Sequence, residues 1–363
     1  MKKIITIVGA RPQFIKAAMV SRAIIAHNSA GINPIQELIL HTGQHYDHAM
    51  SSAFFSDLGI PQPAWTLSCA ADTHGKMTGM MLTQIEEILL AEKPNAIIVY
   101  GDTNTTLAGA LAAAKLNISV VHIEAGLRSH NRNMPEELNR IVTDHLSTIL
   151  CCPTVSAMRN LALEGIATGV YHVGDVMYDA AITFGDVARR KSDIMAELGI
   201  QPKAFRLCTV HRAENTDNFD RLNSIFDALL HIASDRIPII LPLHPRTEAR
   251  LAQFGILHKI RQESGKIRLI PPAGFLDMAA LEMHALNILT DSGGVQKEAY
   301  FHRVPCITLR SETEWIETVA AGWNIIAGHD KDSIIAAVSA SPNRLPINEY
   351  GRGDAAKAIV GLL

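Results

Sequence analysis

Five times in this chain a short apolar, strand-like run stops abruptly at a residue that can hold a phosphate or move a proton. Ile4 to Val8 ends in Gly9-Ala10-Arg11, Ala96 to Tyr100 in Gly101-Asp102-Thr103, Val120 to Ile123 in Glu124, Leu207 to Val210 in His211-Arg212, and Ile288 to Thr290 in Asp291-Ser292-Gly293-Gly294. Stretches of helical period separate the runs, and strands that are apolar throughout imply parallel sheets covered on both faces. In open α/β sheets ligands bind outside the carboxyl ends of the strands, so the pattern constrains the fold and aims these polar groups at one cleft.

The full set of expected strands is 3–8, 37–41, 96–100, 118–123 and 148–152 in the first half, and 206–210, 237–243, 267–270, 287–290, 305–308 and 324–327 in the second. Between them, Met77, Met80, Met81, Leu82, Ile85 and Leu89 repeat at helical spacing and predict a core-facing helix over 75–91. A length of 363 residues suits two domains. The break is expected within 170–203, and the apolar stretch Asp354 to Leu363 is expected to pack back on a domain.

Thirty-three basic against 36 acidic residues give a net charge of -3, which offers no global field for nucleic acid or anionic lipid. An anionic ligand must then be held by local groups. The apolar start is cut by Gly9-Ala10-Arg11-Pro12 before a signal-peptide core forms, and no later run is long enough to span a membrane, so a cytoplasmic protein is expected. The five cysteines show no C-x-x-C pair, consistent with reduced thiols.

The loop Gly9-Ala10-Arg11-Pro12 joins a strand to a helix, where backbone N-H groups favour an anion. It lacks the second glycine of a dinucleotide fingerprint, which argues against NAD. Arg11 and Lys16, about one and a half turns apart, can reach one diphosphate. Asp291-Ser292-Gly293-Gly294 repeats the logic in the second half, with Glu298 one turn further on and able to accept from ribose hydroxyls.

Asp102, Glu124 and Glu136 are the carboxylates placed for proton transfer, since one at a strand end and one at a helix start can face a substrate from two sides. The spacing equally fits a structural use, with Glu136 or Glu137 complementing the helix dipole and Glu124 paired with Arg128. His41, His45 and His48 suggest a metal, but no Asp or Cys set completes a zinc-like spacing, and a polar cleft wall without metal is the expectation.

Taken together, Gly9-Ala10-Arg11-Pro12 with Lys16, Gly101-Asp102-Thr103, His122-Ile123-Glu124-Ala125-Gly126-Leu127-Arg128, Pro135-Glu136-Glu137 with Asn139-Arg140, His211-Arg212 and Asp291-Ser292-Gly293-Gly294 resemble the non-hydrolysing UDP-N-acetylglucosamine 2-epimerase family. The resemblance implies an α/β, GT-B-like fold of two Rossmann-like domains whose parallel sheets face a central cleft. It places an N-terminal domain at 1–172, a UDP-binding domain at 173–352 and a returning C-terminal helix at 353–363. It further implies an isomerase that needs no cofactor, acts on a UDP-sugar and forms a homodimer without nucleic-acid or membrane partners. Asp102, Glu124, Glu136 and His211 carry over as catalytic residues. Arg11, Lys16, Ser292, Gly293, Gly294 and Glu298 carry over as UDP contacts, with Phe275 bordering the uracil.

The sequence departs from the family at three places. Glu314-Trp315-Ile316-Glu317 stands where many members read Glu-Arg-Pro-Glu, leaving Arg310 as the candidate replacement cation. Ala213 follows His211-Arg212, and Gln44-His45-Tyr46-Asp47 differs from the form linked to activation by bound UDP-GlcNAc. These variants, with Lys297, look like the branch that epimerises UDP-2,3-diacetamido-2,3-dideoxy-glucuronate for O-antigen sugars, with UDP-GlcNAc still open. A retaining GT-B glycosyltransferase, a hydrolysing 2-epimerase and an inactive nucleotide-sugar binder are the alternatives.

Overall fold

The opening apolar run becomes the centre of a parallel sheet. In the computed structural model, which describes residues 1–31, 33–44, 59–69, 71, 73–263 and 265–363, β1 (Lys2–Val8) is joined by β2 (Ile35–His41), β3 (Trp65–Thr66), β4 (Ala96–Tyr100), β5 (Ser119–Ile123), β6 (Ile149–Cys152) and β7 (Val170–His172). Their order is β3-β2-β1-β4-β5-β6-β7, so chain direction across the sheet reverses between β1 and β4. That reversal is the switch point at which such sheets open a ligand crevice.

Side-chain periodicity explains the layers. β4 is buried along its whole length and β1 from Ile4 onward, as expected of strands covered on both faces. The helix His74–Glu92, capped by the Thr73 hydroxyl, lays Met81, Ile85 and Leu89 on the core with Met77, Met80 and Leu82 beside them, so the methionine stripe is core. Its neighbour Asn104–Lys115 lies close to the sheet because it presents alanines and Gly109, where a Cβ would stand 3.1 Å from both Ile7 Cδ1 and Val99 Cγ1. The sequence does not announce β3 and β7. With two and three residues, they are too short to show a period.

A second parallel sheet has six strands in the order β10-β9-β8-β11-β12-β13. These are β8 (Arg206–Thr209), β9 (Ile239–Pro242), β10 (Ile267–Ile270), β11 (Ile288–Thr290), β12 (Cys306–Thr308) and β13 (Asn324–Ile326). Its reversal falls between β8 and β11, the strands that run into His211 and Asp291. One face packs on Leu222, Ile225, Phe226 and Leu229 of the helix Phe219–Ile232.

Each sheet is the centre of its own compact unit, Met1–Ala180 with Asn348–Leu363, and Ala181–Ile347. The first division therefore lies inside the helix Val176–Lys191, a few residues beyond the 172/173 read from sequence. The chain's last segment is tied into the first unit. Asp175 N donates to the Tyr350 carbonyl at 3.0 Å, and Asp179 accepts from the amides of Ala355 and Ala356 at 3.2 and 2.8 Å, capping the helix Ala355–Val360. Burial pushes the Asp179 carboxyl up to about 6; the two amides oppose this, and Asp175 and Asp354 reinforce it.

Candidate active site

In the first unit the residues singled out at strand ends gather around the switch point. Lys16 of the helix Arg11–Ser29 pairs with Glu124, which follows β5, and both are largely buried. Gly101, after β4, lies against them: a Cβ there would stand 3.5 Å from Glu124 Oε2 and 3.6 Å from Lys16 Nζ. Glu124 adopts φ +72°, a left-handed conformation costly for a residue with a side chain and typical of functional positions. Its amide and that of Ala125 both donate to the Cys151 carbonyl at 3.1 Å, which holds the turn in place.

Gln13 fixes the loops on either side. Its Oε1 accepts from the amides of Gly9 and Ala10 at 2.8 and 3.0 Å, while its Nε2 donates to the Tyr100 carbonyl at 2.8 Å and approaches the hydroxyls of Thr103 and Thr106 at 3.0 Å. Two amides expected to greet an anion are therefore already taken. Anion binding at this loop would fall instead to the side chains of Arg11 and Lys16.

The helix Pro135–Leu146 supplies the facing wall. Arg140 bridges Asp102, whose side chain is 31% exposed, to the buried Glu137. Glu137 also accepts from Ser129 N, Ser129 Oγ and His130 N, each at 3.0 Å, so it anchors the 129–130 turn. Asn139 Nδ2 donates to the Asp102 carbonyl at 2.9 Å. Glu136, half-buried one helical turn before Arg140, makes no hydrogen bond or ion pair among the described residues.

Beneath this layer lies a charged network that is buried at His122, Asp144 and Arg128 and reaches the surface at Glu164. His122, fully buried, faces Asp144 Oδ1 through Nδ1 and the Gly101 carbonyl through Nε2, each at 2.7 Å. Arg128 binds Asp144 at 2.7 Å and grips Glu164 with two bonds of 2.7 and 2.6 Å. Burial would raise the Asp144 carboxyl, but the His122 and Arg128 charges and hydrogen bonds outweigh it and hold Asp144 below its usual range. Arg128 is thus occupied elsewhere, and the Glu124–Arg128 pair considered from sequence spacing is replaced by Glu124–Lys16. Positive φ at Glu124 and Gly126 turns the chain between them, and Arg128 ends up facing Asp144.

In the second unit the acid is spent on backbone. Asp291, fully buried after β11, accepts from the amides of His211 and Arg212 and from Asn215 Nδ2, at 3.0 to 3.1 Å. The His211 imidazole is left partly exposed. Burial pushes it below its usual range; Asp291 opposes this, and Arg212 and His244 add to it. Ser292 occupies the N-cap of the helix Gly293–Phe301 without a side-chain cap bond, the arrangement in which an anion can take the first-turn amides. Trp315 Nε1 donates to the Gly293 carbonyl at 2.8 Å, and Lys297 Nζ lies 4.1 Å above its ring.

Two further residues take definite places. Phe275 opens the helix Phe275–His284 and packs edge-on against Phe184, centroids 5.2 Å apart. Arg310, buried after β12, is shared among Glu314, Glu214 and Glu312 at 3.1, 3.5 and 3.6 Å, so its charge is already matched within the unit. His41 ends β2 buried against Phe14, whereas His45 and His48 lie outside the described residues. Gln13, Arg140 and His122 were not singled out as site residues from sequence, although the i, i+3 pairing of Glu137 with Arg140 is a signal that spacing could have supplied.

Comparison with known proteins gives a consistent result. A family model described as UDP-N-acetylglucosamine 2-epimerase matches residues 18–363. The chain is 50% identical over 364 residues to a UDP-N-acetylglucosamine 2-epimerase homolog of Methanococcus maripaludis, covering 99% of each. It is 47% identical over 367 residues to the UDP-2,3-diacetamido-2,3-dideoxy-D-glucuronate 2-epimerase of Pseudomonas aeruginosa, again covering 99% of each. Its fold is similar to the crystal structure of the Methanocaldococcus jannaschii UDP-GlcNAc 2-epimerase in complex with UDP-GlcNAc and UDP, with a TM-score of 0.88, 43% identity and 99% of each chain covered.

Proposed function

The chain belongs to the UDP-N-acetylglucosamine 2-epimerase family, and from that premise we propose that it inverts C2 of a UDP-2-acetamido sugar by elimination and re-addition of UDP. The proton on C2 is not acidified by a carbonyl, so its removal must accompany breaking of the C1–O bond to UDP. A base takes the C2 proton as the bonding electrons leave C1 with the diphosphate, giving a glycal and UDP. Return of a proton to C2 from the other face, with UDP re-adding at C1, gives the manno epimer. In this reading Asp102, Glu124 and Glu136 are the acid and base groups, and Arg11, Lys16 and His211 meet the charge of the departing diphosphate. Ser292, Gly293, Gly294 and Glu298 hold the phosphates and ribose, and Phe275 borders the uracil.

The observation that carries the reading is the contrast in setting among these three carboxylates. Three carboxylates stand in three settings: Glu124 against a buried lysine, Asp102 against a shared arginine, and Glu136 without a partner among the described residues. Groups with different surroundings can hold and release a proton at different stages of one cycle. Turnover in D2O tests this directly. Deuterium at C2 of both epimers is expected, and product free of deuterium would overturn it.

Within that class the substrate leans to UDP-2,3-diacetamido-2,3-dideoxy-glucuronate, supported by the Pseudomonas aeruginosa relative and by the run Glu314-Trp315-Ile316-Glu317 with Lys297. The reading includes a cytoplasmic homodimer that supplies surface-polysaccharide precursors. No helix among the described residues is long and apolar enough to cross a membrane. An NMR panel of both UDP-sugars decides the substrate: comparable turnover on each would remove the lean.

A further inference from the structure

One helix grips the turns that follow both β4 and β5. On Pro135–Leu146, Glu136, Arg140 and Asp144 recur at four-residue spacing and so share a face. Arg140 pairs with the Asp102 carboxylate, and Asn139 Nδ2 donates to the Asp102 carbonyl at 2.9 Å. One turn further on, Asp144 is 1% exposed and reaches both turns at once. Its carboxylate accepts from the amide of Gly126, two residues beyond Glu124, at 3.1 and 3.3 Å. Its Oδ1 also lies 2.7 Å from His122 Nδ1, and the far side of that ring carries the contact on: Nε2 stands 2.7 Å from the carbonyl of Gly101, the neighbour of Asp102. A carbonyl oxygen only accepts, so the hydrogen on Nε2 is aimed at Gly101. Arg128 Nη1 completes the set by donating to Asp144 Oδ2 at 2.7 Å. Burial alone would raise this carboxyl, but His122 and Arg128 hold it below its usual range, so it stays charged at neutral pH.

We propose that Asp144 is a positioning residue for the epimerisation, a buried charge that keeps the turn bearing Asp102 and the turn bearing Glu124 in fixed register with each other and with the helix that carries Glu136. This rests on the reading above that those three carboxylates are the acid and base groups. The turns need such a hold: Gly101, Glu124 and Gly126 have φ of +64°, +72° and +80°, and at Glu124, which has a side chain, that conformation persists only where the surroundings over-determine it. A role in stability alone is a poor account of the group. Removing an ionic hub from water offsets most of its attractions, so it adds little net stability, whereas directed bonds to His122, Gly126 and Arg128 fix angles that apolar packing leaves free. Proton transfer needs those angles, since a displacement of about 1 Å in a reacting group can cost about a hundredfold in rate.

Steady-state kinetics with the UDP-sugar and UDP calorimetry on the full chain test the role, with kcat counted per UDP-binding site so that unfolded protein does not enter it. Asp144→Asn keeps the shape but gives up the charge that gathers three donors, and is expected to lower kcat about thirtyfold while KM and the Kd for UDP stay within about threefold. His122→Asn leaves Asp144 its bonds to Gly126 and Arg128 and withdraws only the donor to Gly101; a kcat about tenfold lower is expected. His122→Gln, whose amide nitrogen extends to the place of Nε2, is expected to recover most of that loss. Asp102→Asn and Glu124→Gln are the references for the underlying reading. If both turn over like wild type, the assignment of acid and base groups fails and this inference fails with it. If the references are impaired while Asp144→Asn keeps its turnover per site, or if Asp144→Asn loses UDP affinity as steeply as kcat, the positioning role alone is overturned. Should Asp144→Asn yield no UDP-binding protein, the His122 pair decides: wild-type turnover in His122→Asn, or no recovery in His122→Gln, overturns the proposal.

Discussion

The two switch points solve the same problem with opposite uses of a carboxylate. After β4 and β5, Asp102 and Glu124 face side-chain cations, Arg140 and Lys16, partners on flexible stems that can exchange with a ligand or a proton. After β11, Asp291 is fully buried and held by backbone and amide donors that cannot leave. An acid at the end of a strand is therefore not by itself a sign of chemistry. What separates the two is whether the partners are charged side chains or mainly the backbone of a neighbouring turn.

The contrast is broken most severely by removing proton transfer while keeping shape. Asp102→Asn and Glu136→Gln are each expected to lower kcat by about a hundredfold or more, with little change in UDP affinity or thermal stability. Near-wild-type turnover in either would show that carboxylate to be a bystander. Replacing Asp291 should do the reverse. Asp291→Ala strands three buried donors, and is expected to cost the second unit about 3 kcal/mol. Asp102→Ala, half-exposed and leaving Arg140 its bond to Glu137, should cost less than about 1 kcal/mol. Denaturant titrations that rank the two variants the other way would collapse the distinction.

A smaller effect sharpens the comparison through pH. Asp179 in the first unit is raised to about 6, so the stability tied to its proton is full below the unfolded carboxyl range near 4 and is lost as pH rises through about 6. His302 in the second unit is lowered to about 4, so its contribution is full above the unfolded imidazole range near 6.5 and is lost as pH falls through about 4. Between those limits acid should favour one unit and weaken the other. The stability difference between wild type and Asp179→Asn should change with pH in one direction, and that between wild type and His302→Gln in the other. Parallel slopes would show that at least one of the two groups titrates at its ordinary value.

The strand ends could be read from sequence because parallel-strand burial and the turn that follows are both local: a β-rich run meets Gly-Asp or Asp-Ser-Gly-Gly within a few residues. Partner choice could not. Whether Glu124 meets Arg128 or Lys16 depends on a left-handed turn at a non-glycine residue, which spacing rules do not anticipate. The wall around Asp102 was hidden for a related reason: Arg140, Glu137 and Asn139 look like the polar side of a surface helix until the helix is seen to bury that side.

Gln13 makes the first unit depend on a single amide. Its carboxamide accepts at one end and donates at the other, joining the loop after β1 to the loop after β4. Spontaneous loss of ammonia from that side chain would change only one atom type, yet it would turn a donor toward a carbonyl and two hydroxyls into an acceptor. Deamidation at this one buried amide would therefore separate the two loops from within, with no change at any residue proposed to touch substrate.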